Sequence, residues 1–303
     1  MKPLNIVYIH AHDLGRFCQP FGYNIPSPNL QKLAEEGIFF RQAHAAAPTC
    51  SPSRAALLTG QWPHCVGMYG LASPQQGYTL NDYSHHLASF LKQNGYETAL
   101  AGVQHVARKP FADPEEVLGY DRFLNHKPTG AQIHQPEKSH TAAIAFLAEK
   151  HEKPFFLSVG FLEPHRDNRG DRRVFSEIIP EEPEDIDDRY CQPMPHLPDT
   201  QIMRRETANF KMGVEIMDRK MGAVIKAVEK TGLSENTLII CTTDHGPGFP
   251  DMKKTLKDRG TGVMLIIRGP EWTGFKGGTV TDAMTTHMDI FPTLCDLLEM
   301  DKP

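Results

Sequence analysis

The feature that most constrains the fold is a rhythm of short apolar segments alternating with longer segments of helical period. Residues 5–9, 98–101, 155–161, 237–243 and 263–267 read as strands, with a further short strand at 38–41. Between them, helical patterns run over 28–36 (opened by Ser27-Pro28 and closed by Gly37), 81–94, 137–151, 199–230 and 287–300. Strands with little polar alternation are covered on both faces. The expected architecture is therefore α/β, a mostly parallel sheet with helices on both faces. Within the 199–230 helix, Met203, Met212, Met217 and Met221 read as core packing. A length of 303 residues suits one large α/β domain or two smaller ones.

In open α/β sheets, ligands gather beyond the carboxyl ends of the strands. Four expected strand ends carry suitable groups: His12-Asp13 after the first, His105 after 98–101, His165 after 155–161 and Asp244-His245 after 237–243. One such residue is commonly a cap or a turn residue; four together point to a site. Asp13, Asp244 and His245 offer oxygen and imidazole ligands for one divalent cation. His64 and His287 are weaker pocket candidates. His85, His86, His126, His134, His140 and His151 read as surface residues.

Cys50-Ser51-Pro52-Ser53-Arg54 leads into Ala55-Ala56-Leu57-Leu58-Thr59-Gly60. Ser51 is expected to cap a helix, and Pro52 suits its first turn. Cys50 then lies at a helix mouth, where free N–H groups and the dipole favour anions. Arg54 follows one turn on, on the same face, with a planar donor fork. The other cysteines, Cys18, Cys65, Cys191, Cys241 and Cys295, are widely spaced and form no C-x-x-C pair. That spacing argues against a zinc ribbon or a disulfide framework. Cys241 and Cys295 fall in apolar stretches and read as core.

The formal net charge of −5 gives no basic surface for nucleic acid. No apolar run approaches a membrane span. No leader pattern precedes the first strand, so the chain as written is expected in the cytoplasm. The segment from Asp167 to Pro198 breaks the rhythm: first basic, with Arg166, Arg169, Arg172 and Arg173, then acidic from Glu181 to Asp188. It reads as a solvated loop whose basic half could face an anionic substrate.

Taken together, these motifs resemble the sulfatase branch of the alkaline-phosphatase-like superfamily. The resemblance is carried by Asn5-Ile6-Val7 through Asp13-Leu14-Gly15, Pro28-Asn29-Leu30, Cys50 through Gly60, Gly102-Val103-Gln104-His105, Pro164-His165, Thr243-Asp244-His245-Gly246 and residues 289–294. Within that branch, Pro63-His64-Cys65-Val66-Gly67-Met68-Tyr69-Gly70-Leu71 is most similar to the heparan N-sulfatase group. The resemblance implies one catalytic domain over 1–303. It also implies oxidation of Cys50 to formylglycine by a formylglycine-generating enzyme. One divalent metal, calcium by family, would bind Asp13, residue 50, Asp244, His245 and His12. The hydrated aldehyde would attack a sulfate ester or sulfamate, forming a covalent sulfate that is then expelled. Arg54 would orient the diol and His105 would serve as base for the expulsion. His165 and Lys253 would hold sulfate oxygens and assist the leaving group, with Lys254 a rival for Lys253.

The chain departs from the family pattern at two positions. His12 stands where a first aspartate is usual, which leans the metal toward manganese or zinc. Val103 stands where a lysine is usual, so Lys253, Lys254 or Arg166 would have to compensate. The family also commonly continues into a smaller C-terminal subdomain. The implied function is a metal-dependent sulfatase acting on a small-molecule or glycan sulfate. A phosphoester or phosphonate hydrolase on the same fold and a sulfated-glycan binder without turnover are the alternatives. Oligomeric state is open.

Overall fold

The computed structural model describes residues 4–73, 75–107, 117–125, 138–169, 172–174 and 188–302. The strands are β1 (Asn5–Ala11), β2 (Ile38–Phe40), β3 (Ala43–His44), β4 (Glu97–Gly102), β5 (Arg122–Phe123), β6 (Phe155–Gly160), β7 (Asp167–Arg169), β8 (Arg172–Val174), β9 (Thr237–Thr243), β10 (Leu265–Arg268), β11 (Thr279–Thr281) and β12 (Thr285–Thr286). The helices are α1 (Pro28–Glu36), α2 (Cys50–Thr59), α3 (Leu87–Gln93), α4 (Ser139–Leu147), α5 (Gln201–Lys230), α6 (Asp258–Thr261) and α7 (Ile290–Leu297).

Eight strands form the main sheet in the order β11-β2-β10-β9-β1-β6-β4-β5. β10 is antiparallel to both its neighbours, β9 and β2, and the other pairings are parallel. The sheet is thus mostly parallel, as its apolar strands require. Side-chain alternation divides the interior into two layers. Val7 and Ile9 of β1 join Leu30 and Leu33 of α1, Phe146 of α4, and Phe210, Val214, Met217 and Met221 of α5. Ile6 and Tyr8 join Ala55 and Leu57 of α2, Leu87 and Leu91 of α3, and Phe291 and Leu294 of α7. Cys241 and Cys295 are buried in these layers, as expected. No helix among the described residues is long and apolar enough to cross a membrane.

Four local expectations are corrected. The 81–94 segment is a short 3-10 turn, Tyr83–His85, followed by α3. His86 breaks the run with extended backbone, and its Nδ1 accepts the Ala88 N–H at 3.2 Å. It is fully buried, not a surface residue, and burial drives its imidazole down to about 3. His151 is likewise tucked in, with Nδ1 3.0 Å from Glu97 and Nε2 2.9 Å from the Phe146 carbonyl. The start of the irregular 167–198 segment pairs β7 with β8 in an antiparallel hairpin. Residues 181–187, His126 and His134 lie outside the described residues, as do the side chains of Arg169, Arg172 and Arg173.

The α1 N-terminus shows how long-range contacts complete local signals. Ser27 is its N-cap residue but makes no side-chain cap bond. Asp218 of α5 reaches across instead, accepting from Asn29 N (3.1 Å), Asn29 Nδ2 (2.7 Å) and Leu30 N (2.9 Å). Asp218→Ala is expected to lower stability by about 1–3 kcal/mol through these stranded donors. Urea unfolding by circular dichroism checks it.

Candidate active site

Strands β9, β1, β6 and β4 are consecutive in the sheet and mutually parallel, so their carboxyl ends open on one edge. The four polar groups expected at strand ends therefore meet. Backbone amides just beyond β1 join it directly to the β9 end. Asp13 N donates to Asp244 Oδ1 at 2.8 Å, Leu14 N to Thr243 Oγ1 at 3.2 Å, and Gly15 N to the His245 carbonyl at 2.8 Å. Gly246 is required beside them, since a Cβ there would lie 1.9 Å from the Arg259 carbonyl oxygen. Asp13 and His105 both adopt left-handed backbone, with φ of 56° and 60°. Such conformations cost a non-glycine residue free energy, and they cluster at sites the surrounding fold over-determines.

The α2 helix enters the same edge from the other side. Its N-cap is Thr49, so Cys50 is the first helical residue and Ser51 the second. The expected cap at Ser51 is thus displaced. Ser51 Oγ instead accepts from Ala72 N at 2.9 Å, anchoring the chain beyond the helix. Every residue of α2 is buried. Cys50 Sγ lies 3.3 Å from His245 Nε2 and 4.0 Å from Asp13 Oδ1. Arg54 directs its fork at Asp244, with Nε and Nη2 at 3.2 and 3.1 Å from Oδ2, while Nη1 is 2.9 Å from His10 Nδ1.

Lys253 Nζ donates to both Asp13 oxygens, at 2.9 and 2.7 Å, and lies 3.4 Å from His165 Nε2. Lys254 is exposed, and its backbone N–H is bound to the Pro48 carbonyl. Arg166 is held by the Gly248 carbonyl at 2.7 Å and by Glu206. Of the three candidate compensating cations, Lys253 is the one seated on Asp13. His12 Nδ1 is 2.9 Å from Asp13 Oδ1 and 3.4 Å from Asp244 Oδ2. The His12 ring lies 4.3 Å from that of His165 and 5.5 Å from that of His105.

Charge explains why so polar a cluster is stable while buried. Burial alone would raise the Asp13 carboxyl, but His245, Lys253 and His165 hold it well below the usual range. Asp244 is held down likewise by His245, His12 and Arg54. Burial lowers His12 to about 4, so it is neutral at pH 7. Burial also lowers His245, but Asp244, Asp13 and Cys50 overcome this and raise it to about 9. Burial pushes the Cys50 thiol up, yet the neighbouring imidazoles bring it well below its ordinary value. Negative Asp13, Asp244 and Cys50 thus face positive Arg54, Lys253 and His245.

Among the described residues, two sets of ligand atoms lie within 4.8 Å of one another: Asp13, Cys50, Asp244 and His245, and His12, Asp13, Cys50 and His165. The donor chemistry fits a divalent cation, and the Lys253 ammonium already marks a cation position against Asp13.

Three supporting residues were not expected. His10, inside β1, partners Arg54. Ser53 donates to the Asp244 carbonyl and lies 3.3 Å from His287 Nδ1. Glu163, paired with Lys220, offers its carbonyl to His12 N at 3.1 Å. A histidine within an apolar strand was the available signal for His10; Ser53 and Glu163 gave none. His287 is buried behind the site, with Nε2 3.1 Å from Thr242 Oγ1, whereas His64 is exposed beside Trp62.

Comparison with known proteins identifies the family. The sulfatase family model covers residues 4–300. Human N-sulphoglucosamine sulphohydrolase is 29% identical over 321 residues, covering 100% of this chain and 62% of its own length. The Δ4,5-hexuronate-2-O-sulfatase of Bacteroides thetaiotaomicron is 28% identical, covering 96% of this chain and 66% of its own. This chain therefore spans a little under two thirds of the length of these relatives. Among solved structures, a complex of a protein with its substrate D-glucosamine-2-N,6-O-disulfate superposes with a TM-score of 0.74 at 20% identity, covering 100% of this chain and 78% of the other. The fold with four polar strand ends, the buried Cys50 helix mouth and the family match establish that this chain belongs to the sulfatase family.

Proposed function

We propose that this chain hydrolyses sulfate esters or sulfamates of sulfated sugars, with residue 50 as formylglycine nucleophile. The observation that carries the reading is the meeting of Cys50, Asp13, Asp244 and His245 at one buried helix mouth. The named relatives act on sulfated sugar units, which supports that substrate class. A formylglycine-generating enzyme is the partner this requires.

Asp13, Asp244, His245 and residue 50 would hold the divalent cation, with His12 adjoining. When bound, the cation supplies Lewis-acid polarisation and offsets sulfate charge. Formylglycine, when formed, supplies a hydrated aldehyde hydroxyl for attack on sulfur. Arg54 fixes Asp244 through paired hydrogen bonds, and thereby the orientation of a ligand carboxylate. Lys253 and His165 flank Asp13 where sulfate oxygens would enter. The half-exposed His165 faces the leaving group and can protonate it. His105, its ring 5.5 Å from that of His12, takes the proton whose loss expels sulfate.

His105→Gln is therefore expected to lower kcat by about 10²–10⁴-fold with KM little changed, measured by steady-state sulfate release. The reading itself is tested by co-expression with the formylglycine-generating enzyme, peptide mass at residue 50, and sulfate release from aryl sulfates, N-sulfoglucosamine and O-sulfated sugars. Conversion with sulfate release supports it. A retained thiol without sulfate release, or faster turnover of matched aryl phosphonates, would overturn it.

A further inference from the structure

Cys50 exists as a thiol before it can exist as an aldehyde, and the thiol has its own neighbours. Its sulfur, a nitrogen of His12, a nitrogen of His165 and an oxygen of Asp13 all lie within 4.8 Å of one another. Three of these residues are buried and His165 is partly exposed, which leaves one side for an ion to enter. Only residue 50 and Asp13 are shared with the carboxylate-rich set that includes Asp244 and His245. We propose that the unoxidised chain is a zinc protein, its ion held by Cys50 Sγ, His12, His165 and Asp13.

The chemistry of the set selects the metal. One thiolate, two imidazoles and one carboxylate suit zinc, whereas hard cations take oxygen ligands. Zinc bonds of about 2.0–2.3 Å place tetrahedral ligands about 3.3–3.8 Å apart. Cys50 Sγ is 4.0 Å from Asp13 Oδ1 and His165 Nε2 is 3.7 Å from Asp13 Oδ2, close to that spacing. Lys253 Nζ now occupies the cation position, 2.7 Å from Asp13 Oδ2 and 3.4 Å from His165 Nε2. It would swing toward solvent, which its partly exposed side chain permits. His12 is the decisive residue: an aspartate there would offer oxygen and favour a harder ion. Oxidation of Cys50 to an aldehyde removes the sulfur ligand, so maturation would switch the pocket from zinc toward a harder, oxygen-bound cation. None of this depends on sulfate turnover.

The test uses the full chain expressed without a formylglycine-generating enzyme, with the Cys50 thiol confirmed by mass. Cobalt(II) is added as the spectroscopic probe and zinc as competitor. The expected result is a thiolate-to-cobalt charge-transfer band in the near ultraviolet, lost in Cys50→Ser and displaced by zinc. His12→Asn and His165→Asn should each weaken zinc by at least about tenfold, the lower bound even for changes outside the ligand set. His165, being partly exposed, keeps the test informative if the His12 variant misfolds. The absence of a charge-transfer band in the parent chain would overturn the proposal. So would zinc affinity that falls with His245→Ala but is unchanged by His165→Asn. Sulfate release by the converted protein is read separately, so failure here leaves the hydrolase reading standing.

Discussion

Replacing Cys50 with alanine is expected to reduce sulfate release by at least about 10⁴-fold, the scale seen when an enzyme loses its nucleophile. The loss falls on kcat because the remaining groups still bind. Asp13, Asp244 and His245 stay in place, since hydrogen bonds from the backbone amides beyond β1 to the β9 end set their geometry without help from residue 50. The folded chain should survive: the side chain is small, and α2 remains packed along its whole length. A thermal melt within a few degrees of the parent, alongside lost activity, is the expected pair of results. Activity retained by the alanine variant would remove residue 50 from the chemistry.

Asp244→Ala is expected to be the most damaging single change, because it strikes both stability and metal binding. Arg54 is 2% exposed and gives two of its donors to Asp244 Oδ2. Removing that carboxylate strands a buried guanidinium, a change that typically costs about 3–5 kcal/mol. It also deletes one of two carboxylates available to the cation. The double variant Asp244→Ala with Arg54→Met separates the two effects. It should regain much of the lost stability, because the stranded charge is gone, yet, with residue 50 converted to formylglycine, bind no cation at the site. Denaturant unfolding reads the first effect and metal titration the second. If the single variant were as stable as the parent, Arg54 would have a second anionic partner and the charge balance described above would be wrong.

The central part of the site was legible because strand ends are local in sequence. An apolar run that stops at His-Asp or Asp-His places those residues on one sheet edge once the strands are parallel. The groups that support them were not legible, because they act across the fold. Asp218 caps α1 from a distance of 188 residues, and Ser53 reaches the Asp244 carbonyl from a different element. His86 shows a second limit. Helical periodicity over 81–94 was sound on both flanks, but a histidine whose ring caps its own downstream helix breaks the run and turns inward. The N-cap of α2 moved from Ser51 to Thr49 for a related reason. Ser51 had a tertiary partner at Ala72, and the helix mouth was left open to an anion and a cation. Spacing placed Lys253 with Lys254 as a close rival, and the left-handed backbone of Lys254 separates them, with φ of 67°.

The most direct test of the central claim is anomalous diffraction from crystals of the protein co-expressed with a formylglycine-generating enzyme, recorded at the absorption edge of the metal it carries. The account predicts one ion about 2.0–2.6 Å from oxygens of Asp13, Asp244 and an oxidised residue 50. An ion bound elsewhere, or an active enzyme whose residue 50 is still a thiol, would contradict it.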